Sequence, residues 1–480
     1  MRKYFGTDGI RRIANTELSP ELVYKVAKAG AYVLSKHTDH SPTILIGRDT
    51  RISGTLIESA MVAGFLSYGA NVKLLGVIPT PAVAYLTRKL NADASVVISA
   101  SHNTYEFNGI KYFSNKGMKI SDELEEEIEE IMESGKLDEL TAVNEKIGIS
   151  EVRTDLLNEY VYFFRKNFDD EIEKYNNKDF VVGIDTANGA TYEVAEKVFK
   201  CLGIKYTIIN NNPDGININK DCGSTHLESL KQYVKDNNLS LGIAYDGDGD
   251  RCLAIDELGN EIDGDKILAI ISDTLKKEGK LNKDTIVATV MSNLGLNKYC
   301  NENNMNLIQT KVGDRYVLEE MLKHGYNLGG EQSGHVILLD YNPTGDGILT
   351  SLMIISAILK TGKKASELGD LVKQYPQVLV NAKVDSSKKY DYNKDIEIKS
   401  AIEELEKENA QLRVQLEYYQ SRKTSGRKKH NAKWMAIYND FIVCYETGMT
   451  MLEIAKRNGV SERTIYRYKE EYEKMKGSGE

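Results

Sequence analysis

Apolar residues in the first part of the chain alternate between short continuous runs and longer stretches with helical spacing. The runs at 43–47 and 71–76 are typical of buried strands, and residues 57–68 between them have the periodicity of a helix. A further helix is predicted over 21–36, because the Ser-Pro pair at 19–20 can cap and open its first turn. Strands that alternate with helices predict a parallel or mixed sheet covered by helices.

The same alternation begins again near residue 179 and once more near residue 252. Apolar runs in these later stretches predict further strands over 241–245, 253–256, 285–291 and 307–310, and helical spacing predicts a helix over 193–202. The chain is long enough for three or more such units, each with its own core. The sequence therefore predicts three tandem α/β domains with mixed sheets, and their boundaries are 1–150, 151–251 and 252–370.

The pattern changes in the last quarter of the chain. A strand over 377–384 and a helix over 398–408 predict a truncated fourth domain at 371–408. A helical and basic linker is expected at 409–433, where an a/d seam begun at Ile402 continues to Tyr419; a short coiled coil and a simple amphipathic helix both fit it. Three helix candidates then predict an all-α helix-turn-helix segment at 434–480.

A serine-rich loop follows one of the apolar runs. Val96, Val97 and Ile98 are typical of a strand buried on both faces, and the small polar residues 99–103 come directly after it. Ligands of open α/β sheets bind at this carboxyl end of the strands. Ser101 is therefore a candidate phosphoryl carrier, although an ordinary polar loop would have the same composition.

Three carboxylates follow the strand at 241–245. Asp246, Asp248 and Asp250 are separated by single glycines, so their side chains can point the same way from an extended segment. Hard oxygen ligands without His or Cys favour Mg²⁺ over zinc. A calcium loop is the alternative, but its spacing and flanking helices are missing. The motif predicts a magnesium site to which a phosphorylated Ser101 would add an oxygen.

Three motifs in this order resemble the α-D-phosphohexomutase superfamily. They are Ser-Ala-Ser-His-Asn at 99–103 with Gly-Ile-Lys at 109–111, Asp-Gly-Asp-Gly-Asp-Arg at 246–251, and Gly-Gly-Glu-Gln-Ser-Gly-His at 329–335. The opening residues 3–11 and Gln332 are similar to those of the phosphoglucosamine mutase family within it. The resemblance extends from the first residue to about residue 408, and it implies an α/β fold of phosphohexomutase type.

The resemblance implies an intramolecular phosphotransferase that interconverts glucosamine 6-phosphate and glucosamine 1-phosphate. Ser101 would carry the phosphoryl group, glucosamine 1,6-bisphosphate would be the intermediate and activator, and Mg²⁺ would be bound by Ser101 and the three aspartates. His102, Lys111 and Arg251 are the further catalytic candidates. The expected substrate-binding residues are Thr7, Arg11, Lys311, Arg315, Glu331 and Ser333.

One expected motif is missing from the printed sequence. Members of the superfamily have an Arg-Pro-Ser-Gly-Thr-Glu-Pro loop in the fourth domain that holds the distal phosphate, and no such run occurs here. Activity is therefore expected to be reduced. The alternative is a DNA-binding fusion protein whose mutase-like body acts as a sugar-phosphate sensor or an inactive scaffold.

Charge distribution supports a separate role for the end of the chain. The chain has a net charge of −9, yet residues 422–480 carry 13 Lys or Arg against 8 Asp or Glu. Residues 452–469 resemble the helix-turn-helix of transposases and resolvases, whose second helix enters the major groove of double-stranded DNA. The expected DNA contacts are Arg463, Thr464, Arg467 and Lys469, and a homodimer is possible because such proteins read paired half-sites.

The remaining composition indicates a cytoplasmic protein without membrane contact. The five cysteines show no CxxC spacing, as expected in a reducing compartment. No signal peptide is expected, and no apolar run approaches the ~20 residues that span a bilayer. The acidic helix predicted over 123–133 is interpreted as a solvated surface.

Overall fold

The computed structural model describes residues 3–6, 8–175, 177 and 179–377, together with parts of 396–476. In that last stretch the described residues are 396, 399–400, 402–405, 407, 411, 437–438, 440–442, 444–445 and 449–476. The chain divides into two compact units, Met1–Val378 and Leu379–Glu480.

The first unit begins with a six-stranded mixed sheet in the order β1-β5-β4-β2-β3-β6. β2, β3, β4 and β6 run parallel, whereas β5 pairs antiparallel with both β4 and β1. The strands are β1 (Ile10–Ile13), β2 (Thr43–Arg48), β3 (Asn71–Val77), β4 (Ala94–Ile98), β5 (Phe107–Ser114) and β6 (Ser150–Val152). The helices are α1 (Pro20–Ser35), α2 (Gly54–Tyr68), α3 (Thr80–Lys89) and α4 (Asp122–Glu133).

A second sheet of five strands has the order β11-β10-β9-β7-β8. Its strands are β7 (Val181–Asp185), β8 (Lys205–Ile209), β9 (Leu241–Tyr245), β10 (Cys252–Asp256) and β11 (Glu261–Ile262). Its helices are α5 (Leu157–Tyr175), α6 (Val194–Cys201) and α7 (Glu228–Asp236). The boundary predicted at 251/252 cuts through this sheet, because β10 folds back from the aspartate loop and pairs antiparallel with β9.

A third sheet of four strands has the order β13-β12-β14-β15, parallel except for the last pair. Its strands are β12 (Thr285–Thr289), β13 (Asn306–Thr310), β14 (Leu328–Gly330) and β15 (Val336–Leu338). Its helices are α8 (Gly264–Lys277), α9 (Leu294–Glu302), α10 (Asp314–His324), α11 (Gly347–Thr361) and α12 (Ala365–Gly369). The prediction of three mixed-sheet α/β domains is thus confirmed.

The three sheets share a core. One continuous cluster of buried apolar residues draws its members from all three α/β domains. A buried polar network joins them as well, since Asp346 accepts hydrogen bonds from Tyr160 Oη at 2.8 Å and Asn342 Nδ2 at 3.1 Å. Asn342 Oδ1 in turn accepts one from Arg88 Nη2 at 2.9 Å. Shared apolar and polar contacts fix the three sheet edges relative to one another.

The second unit contains a helix-turn-helix. Its helices are α13 (Met451–Asn458) and α14 (Glu462–Lys476), and further helical residues precede them between 437 and 445. Thr450 and Glu453 form a capping box, and Gly459 has the positive φ of 60° that the turn requires. The core contains Ile454, Ala455 and Ile465, with tyrosines and Phe441 packed around them.

Several predictions fall outside the described residues. The strand predicted over 377–384 is described only at its first residue, and the linker at 409–433 only at residue 411. The helix over 398–408 is described in part. No helix of the described residues is long and apolar enough to cross a membrane.

Candidate functional site

The first sheet places Ser101 at the carboxyl end of a buried strand. Ser101 lies three residues beyond β4, and it is only 2% exposed. Its φ of +50° is a left-handed conformation, which costs a non-glycine residue roughly 1–2 kcal/mol. Its Oγ donates a hydrogen bond of 2.6 Å to Asp246 Oδ2 of the second sheet. The loop therefore presents the serine oxygen directly to carboxylates that follow a strand of the second sheet.

The structure brings the three candidate metal ligands together at the end of β9. Asp246, Asp248 and Asp250 are buried, and one ligand oxygen from each lies within 4.8 Å of the others. A Cβ at Gly247 would lie 2.5 Å from the Ser101 carbonyl oxygen. Only glycine thus allows the aspartate loop to approach the serine loop so closely.

Parts of the aspartate loop have no compensating partner in the protein alone. Among the described residues, Asp248 Oδ1 and Asp250 Oδ1 are buried without a hydrogen-bond partner. Burial and then the charges of the other two aspartates raise the pKa of Asp246 well above its usual range. A divalent cation would satisfy both oxygens and offset the repulsion. The all-oxygen donor set therefore fits Mg²⁺.

Lys111 supplies part of the missing charge from beneath the carboxylates. Its Nζ lies 2.9 Å from Asp248 Oδ2, 3.6 Å from Asp250 Oδ2 and 3.2 Å from Asp8 Oδ2. Burial alone would lower its pKa, but these three carboxylates outweigh burial and raise the pKa well above its usual range. Lys111 is therefore a fixed positive charge behind the site, without contact to the cavity described next.

A cavity of about 580 Å³ opens in front of Ser101. Six of the predicted site residues line it, namely Arg11, Ser101, His102, Asp250, Arg251 and Glu331. Residues that were not predicted line it as well, among them Lys119, Asp314 and His335. A cavity of this size, with polar groups converging on it, is suited to a small phosphorylated ligand.

His102 lies beside the serine oxygen but carries no charge at neutral pH. Its Nδ1 is 3.4 Å from Ser101 Oγ. Burial, followed by the nearby guanidinium groups of Arg251 and Arg11, lowers the pKa of His102 to about 4. His102 can thus exchange a hydrogen bond with the serine or with substrate, but it adds no positive potential.

Arg11 and Arg251 contribute positive potential to the cavity beside Ser101. Arg11 is held by Asp8 Oδ2 at 2.8 Å and by Asn103 Oδ1 at 3.2 Å. The backbone amide of Arg251 donates to Asp246 Oδ1 at 3.1 Å, which fixes the start of that side chain beside the aspartates. Both guanidinium groups border the cavity, where they can attract and orient phosphate.

The loop at 329–335 contributes one carboxylate to the cavity. Glu331 Oε1 accepts a hydrogen bond from the Gly313 amide at 3.1 Å, and Ser333 Oγ lies 3.5 Å from Glu331 Oε2. Ser333 therefore supports Glu331 and does not itself line the cavity. Gln332 points elsewhere, since its Nε2 donates to Asp263 Oδ2 at 3.2 Å.

Two residues predicted to bind substrate are placed differently. The Arg315 guanidinium pairs with Asp122 and Glu125 of α4 and donates to the Ile120 carbonyl at 2.7 Å. Lys311 Nζ lies 5.9 Å from the Tyr316 ring. Neither side chain lines the cavity, because the acidic face of α4 binds the arginine and Lys311 is exposed. Thr7, the remaining candidate, lies outside the described residues.

The acidic stretch in α4 is more than a solvated surface. Glu125 and Glu129 are buried, at 3% and 8% exposure. Glu129 accepts hydrogen bonds of 2.7–2.8 Å from the backbone amides of residues 3–5, which lead into the cavity wall. The sequence interpretation was wrong for these two residues, because a charge run does not reveal which of its members meet a buried backbone.

Three residues around the cavity were not anticipated. Lys119 Nζ bridges Asp8 Oδ1 at 2.5 Å and Asp314 Oδ2 at 2.6 Å. His335 Nε2 accepts from the Gly345 amide at 3.0 Å, which leaves its proton on Nδ1, 3.6 Å from Asp250 Oδ2. His335 ends the motif at 329–335 and Asp314 directly precedes the predicted Arg315, so the sequence offered a signal for both, whereas nothing in the sequence marks Lys119.

Family models match most of the chain in the same order as the three sheets. The models described as phosphoglucomutase/phosphomannomutase alpha/beta/alpha domains I, II and III match residues 2–139, 158–259 and 263–375. A model described as a homeodomain-like domain matches residues 440–479.

Known relatives agree with this assignment. The chain is 53% identical to the phosphoglucosamine mutase of Clostridium kluyveri over 408 residues, 85% of this chain and 90% of the relative. It is 52% identical over the same length to that of Acetivibrio thermocellus, with the same coverage.

Solved structures show the same fold. The putative phosphomannomutase of Thermus thermophilus superposes with a TM-score of 0.68 at 23% identity, covering 77% of this chain and 83% of the other. The N-acetylphosphoglucosamine mutase of Aspergillus fumigatus, solved with GlcNAc-6P and magnesium, has a TM-score of 0.52 at 15% identity, covering 78% and 81%.

Replacing one aspartate by its neutral isostere should weaken metal binding. Asp248→Asn keeps the shape but removes a charge, and we expect the affinity for Mg²⁺ to fall about ten-fold or more, because even indirect changes at metal sites cost that much. Isothermal titration calorimetry on the full chain measures this. Asp236→Asn, the same change at an exposed site on α7, is the control. Equal affinity in all three proteins would contradict the three-aspartate site.

Proposed function

This chain belongs to the phosphoglucosamine mutase family of phosphohexomutases, and we propose that it interconverts glucosamine 6-phosphate and glucosamine 1-phosphate. Glucosamine 1,6-bisphosphate is the intermediate in this proposal, and Ser101 carries the phosphoryl group. The observation that supports it most is the 2.6 Å contact between Ser101 Oγ and Asp246 in a cavity lined by arginines.

The transfer is a displacement at phosphorus. Phospho-Ser101 gives its phosphoryl group to a sugar hydroxyl: the bond from phosphorus to Ser101 Oγ breaks, a bond to the sugar oxygen forms, and the hydroxyl proton ends on the serine oxygen. The bisphosphate then turns over and returns its other phosphoryl group to Ser101. Mg²⁺ bound by the aspartates would supply Lewis-acid stabilisation of the transferring group.

The side chains around Ser101 have complementary roles in this scheme. Lys111 holds a permanent positive charge beneath the aspartates, and Arg11 and Arg251 attract the phosphates. Neutral His102 hydrogen-bonds the serine oxygen or the sugar, and Glu331, supported by Ser333, accepts hydrogen bonds from sugar hydroxyls. Lys311 and Arg315 would need to move to reach a substrate, so their binding role stays a prediction.

DNA binding by the second unit is a second candidate function. The homeodomain-like match and the exposed Arg463 and Arg467 on α14 support it. Tyr466 between them is also exposed, at 52%. Lys469 Nζ lies 5.5 Å from the Tyr445 ring, and the Thr464 hydroxyl shares a hydrogen bond of 2.9 Å with the Ser461 hydroxyl, so these two predicted contacts are partly engaged within the unit. In this case the first unit would serve as a sugar-phosphate sensor or scaffold.

Ser101 should accept a single phosphate. Incubation of the full chain with glucosamine 1,6-bisphosphate and Mg²⁺, followed by intact-mass analysis, is expected to show one added phosphate in the native protein and none in Ser101→Ala. Ser134→Ala, which changes an exposed serine after α4, should label normally. Label that persists in Ser101→Ala would place the nucleophile elsewhere.

Full mutase turnover should be much slower than the first phosphoryl transfer. Loss of the fourth-domain loop removes charge-assisted hydrogen bonds worth roughly 1.5–3 kcal/mol each, so the bisphosphate should leave before it reorients. We expect a raised KM and free bisphosphate, both measurable by ³¹P NMR. Replacing the residues after 408 with a complete fourth domain should restore turnover. Normal turnover by the unmodified chain would refute this explanation.

The second unit should bind duplex DNA in a salt-dependent way. Arg463→Ala/Arg467→Ala in the full chain is expected to weaken binding at ~50 mM salt and to lower the slope of log K against log salt by about one per lost phosphate contact. Electrophoretic shift or fluorescence anisotropy measures both. Arg165→Ala/Lys166→Ala, at exposed positions on α5, is the charge-matched control. Binding that is equal in the two variants would assign the DNA contact to other residues.

A further inference from the structure

The loop that carries Ser101 is held by its backbone carbonyl oxygens, and a buried arginine of the same domain provides the first set of donors. Arg51 is 1% exposed and paired with Asp49 at 2.8 Å. Its Nη2 donates to the carbonyl oxygens of Ser101 at 3.0 Å and Asn103 at 2.8 Å. Its Nη1 donates to the carbonyl of Phe107 at 3.1 Å, and Thr104 O accepts from the same nitrogen.

A residue of the second domain binds the same two carbonyl groups. Asn219 Nδ2 lies 2.8 Å from Ser101 O and 2.9 Å from Asn103 O. Asn219 is 2% exposed, and its backbone amide is fixed by the Ala187 carbonyl at 2.9 Å. Each of the two carbonyl oxygens is therefore shared between one donor from its own domain and one from the neighbouring domain.

The same amide also adjoins the aspartate loop. A Cβ at Gly247 would lie 2.6 Å from Asn219 Nδ2, just as it would lie 2.5 Å from Ser101 O. The Asn219 side chain therefore lies where the serine loop and the metal-binding loop touch. No other side chain among the described residues donates to the Ser101 carbonyl besides Arg51.

Ser101 needs such support because of its backbone conformation. A non-glycine residue in the left-handed region is strained and persists only when its surroundings hold it there. This conformation directs Ser101 Oγ to Asp246. Without donors on its carbonyl group, the peptide after Ser101 could rotate and turn the oxygen away from the aspartates.

We infer that Asn219 is a positioning residue for phosphoryl transfer: through the Ser101 and Asn103 carbonyls it sets the direction of Ser101 Oγ relative to the aspartate loop. The inference rests on the proposed function of Ser101. Asn219 touches neither substrate nor the reacting atoms. Arg51 anchors the loop within its own domain, and Asn219 links the nucleophile to the domain that holds the metal ligands.

The test measures phosphorylation of the full chain by glucosamine 1,6-bisphosphate in a single turnover. In this half-reaction a bond from phosphorus to Ser101 Oγ forms, the bond to the sugar oxygen breaks, and the serine proton ends on the released sugar hydroxyl. Asn219 itself has a φ of +57°, so Asn219→Gly removes the amide without adding backbone strain. Asn238→Gly is the matched control, because Asn238 has a similar φ of +48°. Asn238 is exposed and lies far along the chain from the serine loop.

We expect Asn219→Gly to slow the maximal phosphorylation rate about ten- to hundred-fold, as small misplacements of reacting atoms do. The bisphosphate concentration at half-maximal rate and the thermal unfolding midpoint should stay near those of Asn238→Gly. The ³¹P resonance of the phosphoserine should shift in Asn219→Gly and stay unchanged in Asn238→Gly. Asn219→Asp, which keeps the shape but cannot donate, should be as slow as Asn219→Gly.

The possible results distinguish a failure of the proposed function from a failure of the inference about Asn219. A native chain that gains no phosphate refutes the proposed function itself. A native chain that gains phosphate, with Asn219→Gly and Asn219→Asp equally fast, overturns the inference about Asn219. A rate that falls only in parallel with the unfolding midpoint also overturns it, since Asn219 would then contribute to stability alone.

Discussion

The burial of three carboxylates at one point is the constraint on which the site depends. Asp246, Asp248 and Asp250 lie within 4.8 Å of one another, where like charges strongly oppose ionisation. The protein offsets this repulsion with Lys111 beneath the aspartates and with hydrogen bonds such as that from Thr80 Oγ1 to Asp248 at 2.7 Å. The remaining deficit of positive charge around Asp246 is what would give the site an affinity for a cation.

The neighbouring strands and loops bring further functional groups to these aspartates. β4 and β9 end at adjoining edges of two sheets, so a serine oxygen from one faces the carboxylates from the other. The shared apolar core and the Tyr160–Asp346–Asn342 network hold those edges in a fixed position relative to each other. A cavity bordered by arginines then forms where a phosphate can meet both serine and aspartates.

The second compact unit has a different architecture. Its core is built from aromatic side chains and two short helices, and it has no sheet among its described residues. Its capping box and its glycine turn are local features, which explains why the sequence alone indicated a helix-turn-helix here. The exposed arginines of α14 have no role in the chemistry proposed for Ser101, and they are the reason to consider DNA as a partner.

The sequence by itself determined the local elements and the chemically distinctive residues. Strand and helix periodicity, helix caps and the serine and aspartate motifs are encoded within short windows, so Ser101 and the three aspartates could be identified directly. Tertiary structure decided everything that depends on contacts between distant residues. It bound Arg315 to α4, buried Lys111 and Glu129, assigned β10 to the second sheet, and placed Asn219 on the serine loop 118 residues away. Such contacts depend on how sheets and domains pack. A periodic pattern along the chain does not show which distant side chains this packing brings together.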